Sequence, residues 1–122
     1  MILMIGVGSN VPDKKHRMEQ AIDFLRSSLE DFRCSSVYST PALNGVDADY
    51  LNAVACGSCA LSVEQAVAVL KDYERKCGRK KGDKFVVIDL DLVIADGEVL
   101  RPRDMQHEYF LRGYNELTDT DC

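Results

Sequence analysis

The sequence predicts a single α+β domain in which an antiparallel sheet carries two helices on one face. The chain has 122 residues, which is the length of one compact domain. Its apolar residues follow strand and helix periodicity in the order strand, helix, strand, strand, helix, strand, with a tail. This order is the split β-α-β pattern. Hydrophobic residues make up 46% and charged residues 29% of the chain, so we expect residues 1–122 to form one globular domain.

The first half of the chain predicts a buried strand, a helix and two further strands. Met1–Val7 is an apolar run that leads into a glycine-containing turn, as expected for a buried strand. A helix opens at Pro12 and Asp13, and its apolar stripe consists of Met18, Ala21, Ile22, Leu25 and Leu29. The next segments are strand candidates at Cys34–Tyr38 and Tyr50–Ala60, separated by a loop at Thr40–Gly45.

The second half predicts a capped helix and the most hydrophobic strand of the chain. Ser62 and Gln65 have the spacing of a capping box, and Cys77-Gly78 closes the helix that follows. Phe85–Ile94 is rich in β-branched and apolar residues and predicts a strand. The tail comprises a tight turn at Asp96-Gly97, a short segment Glu98–Leu100, a short helix after Pro102 through Leu111, and a polar end at Thr118–Cys122.

Charge and composition exclude several classes of function. The chain has 15 Lys and Arg against 20 Asp and Glu, a net charge of −5, so we expect neither nucleic acid nor an anionic membrane as a partner. No apolar run reaches the roughly 20 residues that cross a bilayer, and the first residues lack the pattern of an export signal. The odd number of cysteines, 5, suggests reduced thiols and a cytoplasmic location. We expect a monomer or a weak homodimer.

Two aspartates on one strand carry the main functional signal. Alternate residues of a strand share a face, so the apolar residues of 86–92 point to the core. Asp89 and Asp91 then point to the opposite face, about 7 Å apart. Strands disfavour Asp, and two carboxylates on one face repel each other unless a cation offsets their charge. Because carboxylate oxygens suit Mg²⁺, which also binds substrate phosphates, the two aspartates are candidate metal ligands.

Basic residues next to the aspartates favour the metal interpretation. A basic stretch comes just before the pair and consists of Arg79, Lys80, Lys81 and Lys84. Cations beside a metal-binding pair suit a polyphosphate. The alternatives are that the aspartates are solvated or paired with nearby lysines, and that the basic stretch is an exposed turn.

A second cluster suits a flat ring with amide-like edges. Tyr50 and Asn52 share a strand face and follow the loop that begins at Thr40. The Asn side chain supplies amide donors and a carbonyl, and a Tyr ring can stack. The alternative is that Asn52 binds loop backbone and that Tyr50 is part of the core.

Five motifs, taken in order, resemble one enzyme family. They are Gly8-Ser9-Asn10 after the first strand, Tyr38-Ser39-Thr40-Pro41, Tyr50-Leu51-Asn52, Glu74 followed by Gly78-Arg79, and Ile88-Asp89-Leu90-Asp91-Leu92. In this order and spacing the chain resembles hydroxymethyl-dihydropterin pyrophosphokinase, a folate-pathway enzyme, from Met1 to about Leu111. The resemblance implies a ferredoxin-like α+β fold. It also implies transfer of pyrophosphate from ATP to the hydroxymethyl group of a reduced pterin, with two Mg²⁺ ions.

The resemblance also implies a role for each matching residue. Asp89 and Asp91 hold both metal ions, and Arg79 handles phosphates beside them. Glu74 lies on the ATP side, where we also expect the lysines of the basic stretch, Lys80, Lys81 and Lys84. The pterin pocket is lined by Thr40, Pro41, Leu43, Tyr50 and Asn52, and by Phe110, which stacks on the pterin.

The chain departs from the family pattern before the aspartates and in the tail. Val86 stands where family members usually have an arginine, the loop before it is shortened to Gly82–Lys84, and the chain has 0 Trp. The tail lacks the usual histidine and later arginine. Candidates for the missing charge are Lys84, Arg101 and Arg103. These departures predict, as the alternative function, a catalytically weak or inactive relative that binds pterin or nucleotide. A domain of this fold that senses another small ligand is a further possibility, but it leaves the aspartates unexplained.

Overall fold

The computed structural model describes residues 1–80 and 82–119 and confirms the α+β class. Its elements are β1 (Ile2–Ser9), α1 (Lys14–Ser28), β2 (Glu30–Cys34), β3 (Tyr38–Thr40), β4 (Tyr50–Ser58), α2 (Val63–Lys76), β5 (Asp89–Ala95), β6 (Glu98–Val99) and α3 (Glu108–Asp119), with a 3₁₀ turn at Asp104–Gln106. The strands form one antiparallel sheet in the order β2-β4-β1-β5-β6, and β3 also pairs with β4. The antiparallel sheet with α1 and α2 on one face is the ferredoxin-like arrangement that was expected.

The main core lies between the sheet and the helices α1 and α2. Leu3, Ile5 and Val7 of the central strand β1 are each no more than 2% exposed. They pack with inward residues of both helices and of β5, including Met18, Ala21, Leu25, Ala66, Leu70, Leu90 and Leu92. Burying one large aliphatic side chain contributes about 1.5–3 kcal/mol. A slip of one residue in β1 would turn its apolar side chains to the other face, so this core fixes the register of the sheet.

The tail forms a third layer on the opposite face of the sheet. α3 is 12 residues long, whereas the sequence predicted a short helix through Leu111 and a polar end from Thr118. That prediction was too short, because Thr118 and Asp119 belong to the helix; residues 120–122 lie outside the described part of the chain. Phe110 and Leu117 pack with Val54 of β4 in a second apolar cluster, separate from the main core. Phe110, Gly113 and Leu117 are the buried residues of α3.

The predicted strand Cys34–Tyr38 is wrong in its bounds, because β2 ends at Cys34 and β3 begins at Tyr38. Ser35 interrupts the pairing with β4. Its N–H donates to the Val54 carbonyl at 2.9 Å, and its hydroxyl accepts from the Val54 N–H at 2.9 Å. A side-chain oxygen thus takes the place of a strand carbonyl, and the regular ladder stops there.

The predicted strand Phe85–Ile94 starts too early, since β5 begins only at Asp89. Side chains at the end of β1 replace strand pairing in this region. Asn10 accepts from the Val86 N–H through Oδ1 at 2.5 Å and donates its own N–H to the Val86 carbonyl at 3.1 Å. The predicted alternation of faces is nevertheless confirmed from residue 88 to residue 92, where Ile88, Leu90 and Leu92 are buried and the two aspartates lie on the other face.

The predicted capping box of α2 is confirmed. The Gln65 N–H donates to Ser62 Oγ at 3.2 Å, and the Ser62 N–H donates to Gln65 Oε1 at 3.0 Å. These reciprocal bonds satisfy backbone donors that a helix leaves free at its first turn. Across residues 1–80 and 82–119, every helix is too short or too polar to traverse a bilayer.

Candidate active site

Two glycines of β1 leave an open floor on the face of the sheet opposite the main core. Gly8 pairs with Asn52 of β4 on one side and with Asp89 of β5 on the other. Gly6 likewise pairs with Asp91. A Cβ on Gly8 would lie only 3.1 Å from Asn52 Oδ1. The absence of side chains at these positions therefore allows the amide and the carboxylates to approach the same space.

A cavity of about 380 Å³ opens above this floor. This volume lies in the range of small-molecule sites. The cavity brings together residues that the sequence assigned to the pterin and to the metal, namely Thr40, Pro41, Leu43, Tyr50, Asn52, Asp89 and Asp91. The tail closes its far side with Arg101, Asp104 and Tyr109. The two predicted clusters thus form one site.

Asn52 is fixed on the cavity wall. Its side chain is 5% exposed, and Nδ2 donates to Thr40 Oγ1 at 2.6 Å. The partner of Asn52 is thus the Thr40 side chain and not the loop backbone of the alternative, and Asn52 lines the cavity as well. Tyr50 is half-buried on the same wall, and burial together with the nearby Asp89 charge raises the pKa of its phenol. Tyr50 consequently stays a hydrogen-bond donor at neutral pH.

Asp89 and Asp91 lie side by side at the edge of the cavity, with 34% and 15% of their side chains exposed. Burial, the hydrogen bond to Asp89 and the Asp89 charge raise the pKa of Asp91 to about 7. Burial also opposes ionisation of Asp89, but hydrogen bonds to Asp91 and Arg79 outweigh it and lower the pKa of Asp89. Below about pH 7 the two carboxyl groups therefore share one proton. Sharing a proton is how adjacent acids reduce their repulsion without a metal.

Basic side chains offset the remaining charge of the pair. Arg79 Nη1 lies 2.7 Å from Asp89 Oδ1, and Lys71 Nζ lies 3.3 Å from Asp91 Oδ1. Arg101 Nη1 is farther away, at 3.7 Å from Asp91 Oδ1. The alternative that the aspartates pair with lysines of the protein thus holds for Asp91 and Lys71 in the ligand-free site, whereas the partner of Asp89 is an arginine.

Glu74 holds this arrangement from below. It is 5% exposed and accepts from the Leu90 N–H at 2.7 Å. It also contacts Lys71 Nζ at 3.1 Å and Arg79 Nη1 at 3.3 Å. A buried carboxylate needs such partners. Glu74 therefore ties α2 to β5 and keeps two cations against the aspartates, while its expected contribution to ATP binding stays a prediction.

The aspartate pair fits Mg²⁺ as a partial set of ligands. Within the described residues, no group of three or more His, Cys, Asp and Glu side chains is placed to hold a metal ion. Mg²⁺ is commonly bound through one or two carboxylates, and water and substrate phosphates complete its octahedron. Asp89 and Asp91, in hydrogen-bond contact at the cavity edge, offer such a pair. Metal binding at this site is therefore expected to depend on the phosphates of a ligand.

Phe110 lies over Gly6 on the same face of the sheet as the cavity, where it is 1% exposed and packs between α3 and the sheet. It borders only a gap of about 30 Å³ beside Asp91. The aromatic residue of the tail that lines the cavity is its neighbour, Tyr109. Stacking of Phe110 on a pterin stays a prediction, and it requires this ring to move.

Two lysines of the basic stretch, Lys80 and Lys84, do not line the cavity. Lys80 and Lys84 are exposed, and Lys84 Nζ lies 5.6 Å from the ring centre of Phe85. Lys81 lies outside the described residues. Contacts of these lysines with ATP stay predictions.

Lys71, Asp104 and Tyr109 were not assigned from the sequence, whereas Arg101 was one of the candidates for the missing charge. Lys71 lies one helical turn before Glu74, and Arg101 lies at the same spacing before Asp104, to which its Nε donates at 2.7 Å. Pairs of opposite charge at this spacing were the available signal. Tyr109 had no signal, because its role depends on where α3 crosses the sheet.

Comparison with known proteins provides the family. Residues 4–119 match the family model described as 7,8-dihydro-6-hydroxymethylpterin-pyrophosphokinase (HPPK). The chain is 30% identical over 102 residues to the 2-amino-4-hydroxy-6-hydroxymethyldihydropteridine pyrophosphokinase of Aquifex aeolicus. The aligned residues cover 81% of this chain and 64% of that protein. The chain is 32% identical over 95 residues to the mitochondrial folate synthesis bifunctional protein of Pisum sativum, covering 75% of this chain and 18% of that protein. The corresponding protein of Arabidopsis thaliana is 31% identical over 94 residues, covering 75% and 17%.

The chain thus spans less than two thirds of the length of these curated relatives. The family model nevertheless extends over nearly all of the described residues. The ordered motifs that suggested the resemblance lie on the strands and loops of one cavity or on the helix beside it. The chain therefore belongs to the 7,8-dihydro-6-hydroxymethylpterin-pyrophosphokinase family.

Proposed function

We propose that the chain transfers pyrophosphate from ATP to 6-hydroxymethyl-7,8-dihydropterin, as a cytoplasmic enzyme of folate biosynthesis. The supporting observation is that one cavity holds the amide wall of Asn52 and Thr40 together with the carboxylates of Asp89 and Asp91. The name of the Aquifex relative states the same activity for that protein. ATP and the reduced pterin are the proposed partners.

The amide wall suits the pterin. A pterin ring has donors and acceptors on one edge and flat apolar faces. Asn52 offers its amide to such an edge while its partner Thr40 keeps it from rotating. Tyr50 lies two residues away on the same wall, and its ring can pack against a flat heterocycle. Pro41 and Leu43 supply apolar surface from the loop.

The carboxylate wall suits the phosphates. In the reaction, the pterin hydroxyl oxygen attacks the β-phosphorus of ATP. The bond from that phosphorus to the oxygen it shares with the α-phosphorus breaks, AMP leaves with that oxygen, and the hydroxyl proton passes to solvent. Two Mg²⁺ ions, held by Asp89 and Asp91 in this proposal, supply neutralisation of phosphate charge. Arg79, now paired with Asp89, and the basic stretch would contact the same phosphates.

A second candidate function is a binding protein that turns these ligands over slowly or not at all. The observation in its favour is the acidity of the cavity, whose wall includes Asp47, Asp89, Asp91 and Asp104. Val86, in the segment before Asp89, adds no charge to the site. Transfer of a phosphoryl group depends on cations that offset the charge developing in the transition state. A site with few cations is therefore expected to turn its ligands over slowly even where it binds them.

Measurement of AMP separates the two functions. The folded chain is incubated with ATP, Mg²⁺ and the hydroxymethyl dihydropterin, and AMP is quantified by chromatography with and without EDTA. We expect Mg²⁺-dependent AMP formation that Asp89→Ala lowers by about 10²-fold or more. Asp23→Asn, an exposed acid on α1, is the matched control. Pterin and nucleotide binding without AMP above background would assign the second function, and the absence of both would reject the proposal.

A further inference from the structure

The proposed nucleotide site contains few positive charges of its own. Arg101 is the one basic side chain among the described residues that lines the cavity, against four aspartates there: Asp47, Asp89, Asp91 and Asp104. A triphosphate adds further negative charge, and its binding requires cations in the wall besides any bound metal. The position of Arg101 is therefore decisive for this ligand.

A buried carboxylate fixes the orientation of Arg101. Asp104 is 4% exposed, and its Oδ2 accepts from Arg101 Nε at 2.7 Å. The Tyr109 hydroxyl donates to the other oxygen, Oδ1, at 2.5 Å. Burial and the Asp104 carboxylate raise the pKa of Tyr109, which keeps the phenol a donor. Both oxygens of Asp104 are thus engaged, and neither is directed at a ligand.

The group of Arg101, Asp104 and Tyr109 is anchored to the sheet. The Tyr38 hydroxyl donates to the Tyr109 carbonyl at 2.8 Å and accepts from the Gly113 N–H at 3.0 Å. Tyr38 is the first residue of β3, whose last residue, Thr40, lines the cavity. Because β3 and α3 are joined by these bonds, the tail cannot shift without disturbing the pterin wall.

The geometry of Arg101 differs from that of the other cations near the aspartates. Arg79 and Lys71 approach the pair to 2.7 Å and 3.3 Å and do not line the cavity. Arg101 Nη1 stays 3.7 Å from Asp91 Oδ1, and the side chain is 49% exposed. That separation is longer than a charge-assisted hydrogen bond. Since arginine has five N–H donors, Arg101 can be held through Nε and still offer donors to a ligand.

We propose that Arg101 binds the phosphate groups of the nucleotide and that Asp104, supported by Tyr109, is the positioning residue that orients it. This inference rests on the proposed function, because that function supplies the polyphosphate ligand. It assigns to the tail a contribution to the nucleotide site beside the aspartate pair. Arg101 makes a charge-assisted contact with the phosphates, and Asp104 sets the direction in which the Arg101 side chain points.

Calorimetry with a non-hydrolysable analogue tests the role of Arg101. The full chain is titrated with α,β-methylene-ATP in the presence of Mg²⁺, and separately with 6-hydroxymethylpterin. We expect Arg101→Gln to weaken analogue binding about 10- to 100-fold, the loss of a charge-assisted hydrogen bond, and to leave pterin binding unchanged. Arg101→Lys, which keeps the charge without the Nε contact, should fall between. Lys15→Gln, which removes an exposed cation of α1 on the other face of the sheet, is the control and should bind as the wild type does.

A double-mutant cycle tests the role of Asp104. If Asp104 acts through Arg101, Asp104→Asn weakens analogue binding in the wild-type chain and has no further effect in the Arg101→Gln chain. A merely structural role would instead lower affinity in both. Tyr109→Phe removes one hydrogen bond and leaves the carboxylate, so it replaces Asp104→Asn if that variant fails to fold. Its smaller loss should also vanish in the Arg101→Gln chain.

The outcomes separate this inference from the proposed function. If Arg101→Gln binds the analogue as tightly as the wild type while the wild type forms AMP, the inference is overturned and the proposed function stands. Equal losses from Asp104→Asn in both backgrounds overturn the positioning role. If the wild type neither forms AMP nor binds the analogue, the proposed function and this inference are both overturned.

Discussion

Asn52 and Asp89 are partners of the same residue, Gly8, on opposite sides of the central strand. Neighbouring strands lie roughly 4.8 Å apart, so these residues are about 10 Å apart across the sheet. In the proposed function, one of them binds the heterocycle and the other binds a metal ion. The space over Gly8 is therefore where the hydroxymethyl group would meet the phosphate, and a side chain there would obstruct it.

Gly8→Ala is expected to weaken pterin binding with little loss of stability. The new Cβ would lie 3.1 Å from Asn52 Oδ1 and 3.7 Å from the Tyr50 ring, so the amide must shift to make room. Displacing one hydrogen-bonding group of the pocket costs about 1–2 kcal/mol, or roughly 10-fold in affinity. Calorimetry with 6-hydroxymethylpterin measures the affinity.

Gly6→Ala is the matched control for this change. Gly6 lies two residues earlier on the same face, but its Cβ would contact Phe110 and Val93 at 3.4 Å and 3.8 Å, away from the amide. A smaller effect on pterin affinity is expected. If both substitutions weaken the affinity equally, the obstruction is not specific to the space between Asn52 and Asp89.

The sequence predicted the residues of the site better than the bounds of the strands and helices that carry them. The faces of Asp89, Asp91, Tyr50 and Asn52 follow from the two-residue period of a strand, and these four residues do line one cavity. A strand also stops where side chains replace its ladder, as Asn10 does for Val86. Periodicity carries no information about such replacements, so those bounds were wrong.

The tail could not be placed from local patterns. α3 crosses the second face of the sheet because Gly113 permits close contact with Val54, and a lone glycine in a helix usually indicates a weak position instead. The bond from Tyr109 to Asp104 depends on that crossing. Long-range packing, and no feature of the segment itself, decides which residues of the tail reach the cavity.

Ser62→Ala is expected to lower the free energy of unfolding by about 1 kcal/mol, the usual contribution of an N-cap. Ser62 Oγ accepts from the Gln65 N–H at 3.2 Å, and alanine leaves that donor without its partner. Urea denaturation followed by circular dichroism measures the change. Gln65→Ala, which removes the reciprocal bond, should cost less because the serine cap remains. An unchanged midpoint for both variants would contradict the contribution of the capping box.

Gly113→Ala is expected to destabilise the fold, although alanine favours helices by about 1 kcal/mol over glycine. A Cβ at this position would lie 2.6 Å from Val54 Cγ2 and 2.9 Å from Ser35 Oγ, so α3 must move away from β4. Overpacking of this kind costs about 1–3 kcal/mol. Asn115→Ala, at an exposed position of the same helix, should be neutral or slightly stabilising. A Gly113→Ala chain as stable as the Asn115→Ala chain would disprove the close contact.

Cys34 is expected to react slowly with alkylating reagents. Burial, partly countered by Arg26, raises the pKa of its thiol from 9.0 to about 11. At pH 8 the fraction present as thiolate is then about 100-fold smaller than for an unperturbed thiol, and the thiolate is the reactive form. Iodoacetamide labelling followed by peptide mass spectrometry gives the rate at Cys34, with the same chain in urea as the control. Equal rates in the folded and unfolded chain would rule out this protection.

Asp91→Asn is expected to stabilise the metal-free chain at pH 8. The folded pKa of Asp91, about 7, lies above its ordinary value of 3.8, so the folded state binds the proton more tightly than the unfolded state. Wild-type stability is thus full below about pH 4 and is lost progressively as pH rises towards 7. Asparagine carries no charge, so its advantage should grow over the same interval and reach about 1–2 kcal/mol at pH 8. Thermal unfolding in EDTA at pH 5 and pH 8 measures this difference, and Asp23→Asn should show no such trend. If the variant is less stable than the wild type at pH 8, the ion pairs of Asp91 with Lys71 and Arg101 outweigh the repulsion between the two aspartates. The same Asp91→Asn chain should also lose Mg²⁺-dependent nucleotide binding, because one of the proposed metal ligands is gone.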